Sequence, residues 1–297
     1  MRVAYQHRHL YRCGGREYDL ASRTHVMGIL NVTPDSFYDG GKWLDPDSAV
    51  ERALKIAEEG ADFLDIGGES TRPRGSAYGE GAAPVSVEEE LRRIMPVVEA
   101  VARRVDIPVS IDTYKSEVAR QALMAGASMV NDITGFHFDP EMPAVVGNAS
   151  AAAVVMHMKG SPQTMQVNPR YEDLFSEITG YLEESLSLGR KHGVENMMVD
   201  PGIGFGKRLE HNLQLIAGLE RFRSLGVPIL IGPSRKSFIG NVLNLPVEER
   251  LEGSIAAVVA CILNGANVVR VHDVAAAKRA AGVADAILRS GTSAENT

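Results

Sequence analysis

The chain has 297 residues, of which 44% are hydrophobic and 23% charged, a composition typical of globular proteins and unlike that of disordered or coiled-coil chains. Its 38 acidic residues outnumber 31 lysines and arginines, giving a net charge of −7. This balance argues against a nucleic-acid binder or a membrane-surface protein, since both need a basic face. Two cysteines, Cys13 and Cys261, are too few for a disulfide framework, so we expect a reducing, cytoplasmic location.

Neither end of the chain carries a strong targeting or membrane signal. The longest fully apolar run, residues 255–263, is too short to span a bilayer. Residues 1–16 contain four arginines and no acidic residue, which leaves a transit peptide open as an alternative to the cytoplasmic location.

Short apolar segments alternate with longer amphipathic segments along the whole chain. The predicted strands are residues 26–30, 63–66, 108–111, 128–130, 152–156, 197–199, 228–231 and 267–271. The predicted helices are residues 47–59, 87–105, 116–124, 141–146, 171–192, 211–225, 236–243 with 251–263, and 274–288. Ser86 and the glutamates after it favour a capped helix start, and glycines such as Gly126 and Gly226 favour helix ends just before a strand.

Eight apolar strands with intervening helices predict parallel pairing and burial on both faces of the sheet. Eight such units close naturally into a (β/α)8 TIM barrel, which we expect over about residues 25–289 of a single domain, 1–297. A doubly wound open sheet uses the same local pattern and is the alternative. Residues 9–21, with a Gly14-Gly15 turn, predict a hairpin that caps the bottom of the barrel.

Polar or ionisable residues follow every predicted strand, on the rim where β/α barrels carry their active sites. Asp112, Asn131 and Asp200 are short acceptors or amides, suited to a flat heterocycle with an edge of N–H donors, such as an aminopyrimidine. A helix cap is the alternative role for any one of them alone. A second set of rim residues is cationic or nearly so and predicts a local anion site. These are Arg72, Arg235, Lys236, Arg270 and His272.

Two further segments at the rim predict loops. Residues 202–207 are glycine-rich but lack the spacing of a nucleotide fingerprint, so we interpret them as a loop whose backbone can approach a ligand. Residues 31–43 predict a mobile lid. His157, between two methionines, is as consistent with packing as with function.

Several of these segments resemble one known family. Residues 27–41 (MGILNVTPDSFYDGG) and 65–73 (DIGGESTRP) resemble the two signature loops of the dihydropteroate synthases. The remaining motifs follow in that family's order and extend the resemblance over residues 26–288. They are residues 110–115, 130–132, 156–158, 200–207, 234–237 and 270–273.

The resemblance implies condensation of p-aminobenzoate with (7,8-dihydropterin-6-yl)methyl diphosphate, giving 7,8-dihydropteroate and diphosphate on the route to folate, with diphosphate leaving before the amine attacks. It implies sensitivity to sulfonamides, which occupy the p-aminobenzoate site. By residue, it implies pterin contacts from Asp112, Asn131, Asp200 and Lys236, diphosphate-substrate contacts from Thr71, Arg270 and His272, p-aminobenzoate contacts from Arg72, Ser237, Phe37 and Phe205, Mg²⁺ at Asn31, and Asp35 near the reacting carbon. We therefore expect Asp35, Lys236 and Asp200 to be catalytic.

The chain also departs from the family pattern, and other functions remain open. Tyr38 stands where small residues are usual, and the segment after Pro73 is long. A methyltransferase acting between methyltetrahydrofolate and a corrinoid would share the pterin site, and a non-catalytic paralogue would share the fold. Residues 255–263 and 274–288 are alanine-rich and could form the face of a homodimer, although such helices also pack on a barrel. We expect no nucleic-acid or membrane partner.

Overall fold

A hairpin and an eight-stranded parallel sheet form the framework of the computed structural model, which describes residues 9–33, 46–70, 84–161, 164–165 and 167–293. The hairpin pairs β1 (Leu10–Cys13) with β2 (Arg16–Asp19). The sheet consists of β3 (His25–Asn31), β4 (Phe63–Gly67), β5 (Val109–Asp112), β6 (Met129–Asp132), β7 (Ala152–Met156), β8 (Met197–Asp200), β9 (Leu230–Ile231) and β10 (Val268–Val271).

The sheet closes into a barrel. Its strands lie in the order β8-β7-β6-β5-β4-β3-β10-β9, and each pair is parallel. A parallel bridge between Val199 and Ile229 joins the two ends of this order. The Val199 N–H donates to the Pro228 carbonyl across 3.0 Å at the same seam. The predicted (β/α)8 TIM barrel is confirmed, and the doubly wound open sheet is wrong.

Helices alternate with the strands around the outside of the barrel. They are α1 (Pro46–Glu58), α2 (Val87–Val101), α3 (Ser116–Met124), α4 (Met142–Asn148), α5 (Leu174–Lys191), α6 (Leu209–Ala217), α7 (Ser237–Leu243), α8 (Leu251–Leu263) and α9 (Val274–Ser293). The Ser86 side chain accepts from the Glu89 N–H, which confirms the predicted cap of α2. The helix predicted over 211–225 is divided at Gly218, where the Phe175 ring leaves no room for a side chain, and continues as a 3₁₀ helix, Leu219–Leu225. None of the helices in the described part of the chain is long and apolar enough to cross a membrane.

The hairpin closes the amino-terminal end of the barrel, as predicted. Its Tyr11 and Leu20 side chains join the same buried apolar cluster as residues lining the barrel, including Phe63. The Asn267 side chain donates to the Leu20 carbonyl across 2.8 Å. Asn267 directly precedes β10, so the hairpin is tied to the amino end of that strand.

The barrel interior changes from apolar to polar towards the carboxyl ends of the strands. The side chains that form the polar layer come from alternate strands: Asp65 on β4, Asn131 on β6, Asp200 on β8 and Arg270 on β10. In the register of the sheet, Asp65 is opposite Ser110 on β5, and Ser110 is opposite Met129 on β6. Asn131 lies two positions after Met129. The same stagger relates the other members of the layer, which is the geometry of a TIM barrel. The fold therefore brings four polar side chains together at one level of the barrel.

Candidate active site

Arg270 lies at the centre of the polar layer and contacts two carboxylates. Its Nε donates to Asp65 Oδ2 across 2.6 Å, and its Nη2 donates to Asp112 Oδ2 across 2.6 Å. Asn131 Nδ2 donates to the same Asp65 oxygen across 2.9 Å. Burial alone would lower the pKa of Arg270, but the neighbouring carboxylates raise it above its ordinary value. From the sequence, the acceptors and the cations were predicted as two separate sets of rim residues. In the structure, members of both sets belong to one hydrogen-bonded network.

The acidic groups of this network differ from ordinary surface carboxylates. Burial raises the pKa of Asp112 to about 7, with Asp65 adding to the shift and Arg270 opposing it. Burial also raises the pKa of Asp200, and Lys236 opposes that shift. Asp200 Oδ1 accepts from the Gly202 N–H across 2.7 Å, which fixes the carboxylate at the end of β8. Carboxylates with raised pKa values are suited to exchanging hydrogen bonds and charge with a ligand near neutral pH.

Lys236 approaches the same mouth from the start of α7. Its Nζ donates to the Ile203 carbonyl across 2.5 Å and lies 4.8 Å from the centroid of the Phe205 ring. Burial lowers the pKa of Lys236 to about 8, with Asp200 opposing the shift. The lysine thus remains largely protonated at pH 7 and places a positive charge beside Asp200.

His272 lies at the end of β10 and is paired with Ser234. The Ser234 hydroxyl is 3.1 Å from His272 Nδ1 and also accepts the His272 backbone N–H across 3.3 Å. Burial, followed by the charge of Arg270, lowers the pKa of His272 to about 4. At pH 7 the residue is therefore a neutral imidazole, so it differs from the arginines and lysine of the predicted anion site.

Arg235, another predicted member of the anion site, is engaged by a different partner. Its Nε and Nη2 donate to the two Asp273 carboxylate oxygens across 2.9 and 2.8 Å. Its backbone N–H donates to the Ser254 hydroxyl across 2.9 Å. This ion pair ties the loop after β9 to the end of β10 and neutralises the Arg235 charge. The part of Arg235 in the anion site stays a prediction, in which the arginine would be held in place by Asp273.

The glycine-rich segment after β8 contacts the loop after β7. A side chain at Gly202, whose φ is +72°, would place its Cβ 2.0 Å from the His157 carbonyl oxygen. At Gly202 the close neighbour is the protein's own backbone, and the approach of this segment to a ligand stays a prediction. Gly204 differs, since a Cβ there would meet the side chain of Lys236.

Lys207 is a buried residue of this segment whose contacts the sequence did not reveal. Its Nζ lies 2.9 Å from His157 Nδ1, and it donates to the Phe205 carbonyl across 2.9 Å. Burial lowers the pKa of Lys207 well below its ordinary value, and burial together with Lys207 lowers that of His157 to about 2. His157 thus accepts a hydrogen bond as a neutral, packed residue. A lysine ending a glycine-rich run was the available signal, but its burial depends on tertiary contacts.

A second lysine, the half-buried Lys115, contacts residues on both sides of residues 71–83. Its Nζ donates to Glu69 and to Glu90, each across 2.5 Å, and to the Val85 carbonyl across 2.8 Å. Burial raises the pKa of Glu90, and Lys115 opposes the shift. The sequence placed Glu69 and Lys115 on the rim, but it gave no sign that Glu90, in the predicted α2, would join them.

The other predicted site residues divide into two groups. Asn31 ends β3 with a half-buried side chain, and Ser237 is the first residue of α7. The rest lie outside the described residues, as do Tyr38 and the long segment after Pro73. They are Asp35, Phe37, Thr71 and Arg72. The predicted lid, residues 31–43, is described only as far as residue 33.

The described mouth combines acceptors, donors and charge in a way that suits a two-part ligand. Asp112, Asn131 and Asp200 are three acceptor-bearing side chains near one level of the barrel, with Lys236 beside them. Arg270 and His272 supply donors at the end of β10. A ring with an N–H edge can bind among the acceptors while an attached anionic group meets the donors.

Comparisons with known proteins agree with this chemistry. The family described as "Pterin binding enzyme" matches residues 27–272. The dihydropteroate synthase of Clostridium beijerinckii is 47% identical over 281 residues, covering 94% of this chain and 99% of the relative.

Solved structures share the fold over nearly the whole chain. The Yersinia pestis dihydropteroate synthase, in a sulfonamide drug complex, has a TM-score of 0.87 at 40% identity and covers 95% of this chain and 99% of its own. The Xanthomonas albilineans dihydropteroate synthase with 4-aminobenzoic acid has a TM-score of 0.86 at 42% identity, with the same two shares covered.

Proposed function

Because the chain belongs to the dihydropteroate synthase family of pterin-binding enzymes, we propose that its barrel mouth carries out the family's condensation with the side chains described above. The family's members are transferases of folate biosynthesis. They join p-aminobenzoate to (7,8-dihydropterin-6-yl)methyl diphosphate and release diphosphate. The observation that carries the proposal is the polar layer from β4, β6, β8 and β10, in which the pterin-binding Asn131 and the cation Arg270 are both hydrogen-bonded to Asp65.

The pterin ring binds among Asp112, Asn131, Asp200 and Lys236. Burial raises the pKa values of the two carboxylates because it disfavours their ionised forms. A ring edge that gains positive charge therefore stabilises these ionised forms more than it would stabilise carboxylates exposed to water. As carbon–oxygen cleavage develops positive charge on the ring, the ring N–H groups become stronger donors to Asp112 and Asp200. This differential binding of the transition state lowers the barrier to diphosphate departure.

Donors at the end of β10 receive the departing diphosphate. Arg270 supplies a charged guanidinium, and we assign to His272 the neutral tautomer with the proton on Nε2. The assignment follows from Ser234, whose oxygen already accepts the His272 backbone N–H and whose hydroxyl proton is free to serve Nδ1. The Nε2–H then donates to a phosphate oxygen without adding a charge that Arg270 would repel.

The p-aminobenzoate binds against Phe205 and Ser237, with Phe37 and Arg72 contributing. Support comes from the Xanthomonas albilineans relative, whose structure contains 4-aminobenzoic acid, and from the sulfonamide complex of the Yersinia pestis relative. An arylamine is neutral at pH 7 and attacks once the leaving group has departed, so no strong base is required. Asp35 stabilises the cationic carbon in this sequence of steps, Lys236 and Asp200 hold the ring, and the enzyme is a sulfonamide target.

A magnesium ion fits the donors of this mouth. Mg²⁺ is commonly bound by one or two protein oxygens together with substrate phosphates and water. Asn31 offers one amide oxygen from the end of β3, and the described residues contain no cluster of three or more His, Cys, Asp or Glu side chains able to hold a metal. Asn31 would thus hold an ion that arrives with the diphosphate. When bound, the ion offsets negative charge on that group.

A diphosphate-release assay tests the proposed reaction. The purified chain is incubated with the dihydropterin diphosphate, with and without p-aminobenzoate, and both diphosphate and dihydropteroate are measured. Release that requires p-aminobenzoate and matches dihydropteroate supports the proposal. Binding without turnover would indicate a non-catalytic paralogue, and methyl transfer from methyltetrahydrofolate to a corrinoid would indicate the methyltransferase.

The assembly and location proposed from the sequence also have support. The last helix, α9, exposes the apolar side chains of Val283 at 63% and Ile287 at 55%, and a second copy of the chain would cover them. Cys13 and Cys261 are buried free thiols, consistent with a cytoplasmic location. Sedimentation velocity tests the homodimer against a monomer, and cell fractionation tests the location.

A further inference from the structure

Asp65 connects the proposed pterin-binding and diphosphate-binding sides of the site across the interior of the barrel. Its side chain is fully buried on β4, and its Oδ2 accepts from both Asn131 and Arg270. In the sheet, β6 and β10 each lie two strands from β4, on opposite sides. The Asp65 carboxylate therefore spans the lumen in two directions instead of pairing with a neighbouring strand.

The placement of a charge at this position is unusual for a barrel core. Interior layers of TIM barrels are dominated by bulky apolar residues, and burial of a carboxylate is costly unless it is well paired. Asp65 Oδ1 is buried and has no hydrogen-bond partner among the described residues. Within the described part of the chain, the carboxylate holds Asn131 and Arg270 through one oxygen only, so its presence calls for a role beyond packing.

The chemistry of these hydrogen bonds fixes the orientation of both partners. An ionised carboxylate only accepts, so the Asn131 amide must turn its NH₂ group to Asp65 and its oxygen away. Arg270 is held through Nε, which leaves the far side of its guanidinium to reach Asp112. Asp65 thereby orients the Asn131 amide oxygen that can accept from a ring and the Arg270 guanidinium that can donate to an anion.

We propose that Asp65 is a positioning residue that aligns the pterin-binding side chain Asn131 with the diphosphate-binding side chain Arg270. This inference rests on the proposed function, because it assigns the two partners to the two ends of one substrate. Asp65 itself does not touch the substrate. Its removal therefore weakens both ends of the substrate together and leaves p-aminobenzoate binding unchanged.

The experiment compares Asp65→Asn with the wild-type enzyme, whose turnover is measured first. The amide has nearly the same size but lacks the charge, and it can turn either its oxygen or its NH₂ group to the two partners, so it no longer fixes their orientation. We expect kcat/KM for the dihydropterin diphosphate to fall about 100-fold, as for a displaced positioning group, with little change in the KM for p-aminobenzoate. The Kd values for the free dihydropterin and for inorganic diphosphate should both rise. Unchanged Kd values in a folded variant would overturn the inference.

The matched control is Asp62→Asn, which removes a carboxylate at the other end of the same strand. Asp62 directly precedes β4 and is paired with Arg23 and Lys278, far from the barrel mouth. We expect this variant to lose stability without a change in kcat, KM or either Kd. Equal kinetic losses in Asp62→Asn and Asp65→Asn would mean that general destabilisation explains both, which contradicts a positioning role.

A variant pair keeps the inference testable where Asp65→Asn does not fold. Arg270→Gln, alone and combined with Asp65→Asn, leaves no buried guanidinium unpaired. Because Asn131 remains in both, free dihydropterin should bind more weakly to the double variant than to Arg270→Gln, whereas inorganic diphosphate should bind equally to the two. Equal dihydropterin affinity would overturn the inference. An inactive wild-type enzyme would instead contradict the proposed function.

Discussion

The Arg270 guanidinium donates to the Asp112 carboxylate across 2.6 Å. The residue that we propose to bind the diphosphate is thus paired directly with one that we propose to bind the pterin. Burial opposes the shift, but Asp65 and then Asp112 raise the pKa of Arg270, whereas burial raises the pKa of Asp112 to about 7. A ring edge that donates to Asp112 competes for the carboxylate that holds Arg270. Binding of the ring and orientation of the cation are therefore coupled through these two residues.

Asp112→Asn tests the acceptor role. The amide presents a donor where the carboxylate offers only acceptors, so one hydrogen bond to the ring and the ion pair with Arg270 are both lost. We expect kcat/KM for the dihydropterin diphosphate to fall by about 10- to 100-fold, corresponding to a charged hydrogen bond of about 1.5–3 kcal/mol. Steady-state kinetics measures the effect. Asp106→Asn, at a fully exposed residue, is the control, and equal losses in the two variants would contradict the assignment.

Lys236→Met tests the cation beside Asp200. Methionine retains much of the lysine stem against Phe205 but removes the donor to the Ile203 carbonyl and the charge that opposes the raised pKa of Asp200. We expect a loss in kcat/KM of about 10-fold or more, because Asp200 is left without its neighbouring cation. Lys191→Met, at an exposed residue of α5, should retain wild-type kinetics. Wild-type turnover by Lys236→Met would remove Lys236 from the proposed site.

The barrel and the mouth could be predicted from the sequence because both depend on local order. Apolar strands, glycine helix ends and a polar residue after each strand are visible along the chain. The partners across the lumen were not predictable, because residues such as Asp65 and Arg270 are 205 positions apart and meet only through barrel closure. The lowered pKa values of His272 and Lys207 also escaped prediction, since they depend on burial in the folded protein.

Gly202→Ala tests the close contact between the loops after β7 and β8. A Cβ at this position would lie 2.0 Å from the His157 carbonyl oxygen, so the backbone must move. We expect a loss of about 4 kcal/mol or more in the free energy of unfolding, and lower activity because the Gly202 N–H also fixes Asp200. Urea denaturation and steady-state kinetics provide the measurements.

The control for the Gly202 substitution is Gly226→Ala. Gly226 has nearly the same φ, +71°, but nothing lies within 4 Å of a Cβ built there. The free energy of unfolding of this variant should fall by about 1 kcal/mol, which is the cost of the left-handed conformation for alanine. Its kinetics should match those of the wild type. Equal stability losses in the two variants would show that backbone conformation, rather than the His157 contact, requires glycine at position 202.

His25 provides a pH-dependent contribution to stability at the end of the barrel opposite the site. Burial, followed by the charge of Arg23, lowers its pKa to about 4, while Asp62 opposes the shift and Lys278 adds to it. Between pH 6.5 and 4 the unfolded chain protonates this histidine and the folded protein does not, so the free energy of unfolding falls as the pH falls. The full difference in pKa corresponds to about 3 kcal/mol.

His25→Gln isolates this contribution, because glutamine does not titrate. The ring also packs against Tyr18 and Phe63, so the variant should be less stable than the wild type at pH 7. We expect the gap in the free energy of unfolding to narrow as the pH is lowered from 6.5 to 4, because only the wild type pays the protonation cost. Urea denaturation at several pH values measures the gap, and a gap independent of pH would contradict the lowered pKa. Activity at pH 7 should be unchanged, since His25 begins β3 at the amino-terminal end of the barrel, away from Asp112 and Arg270.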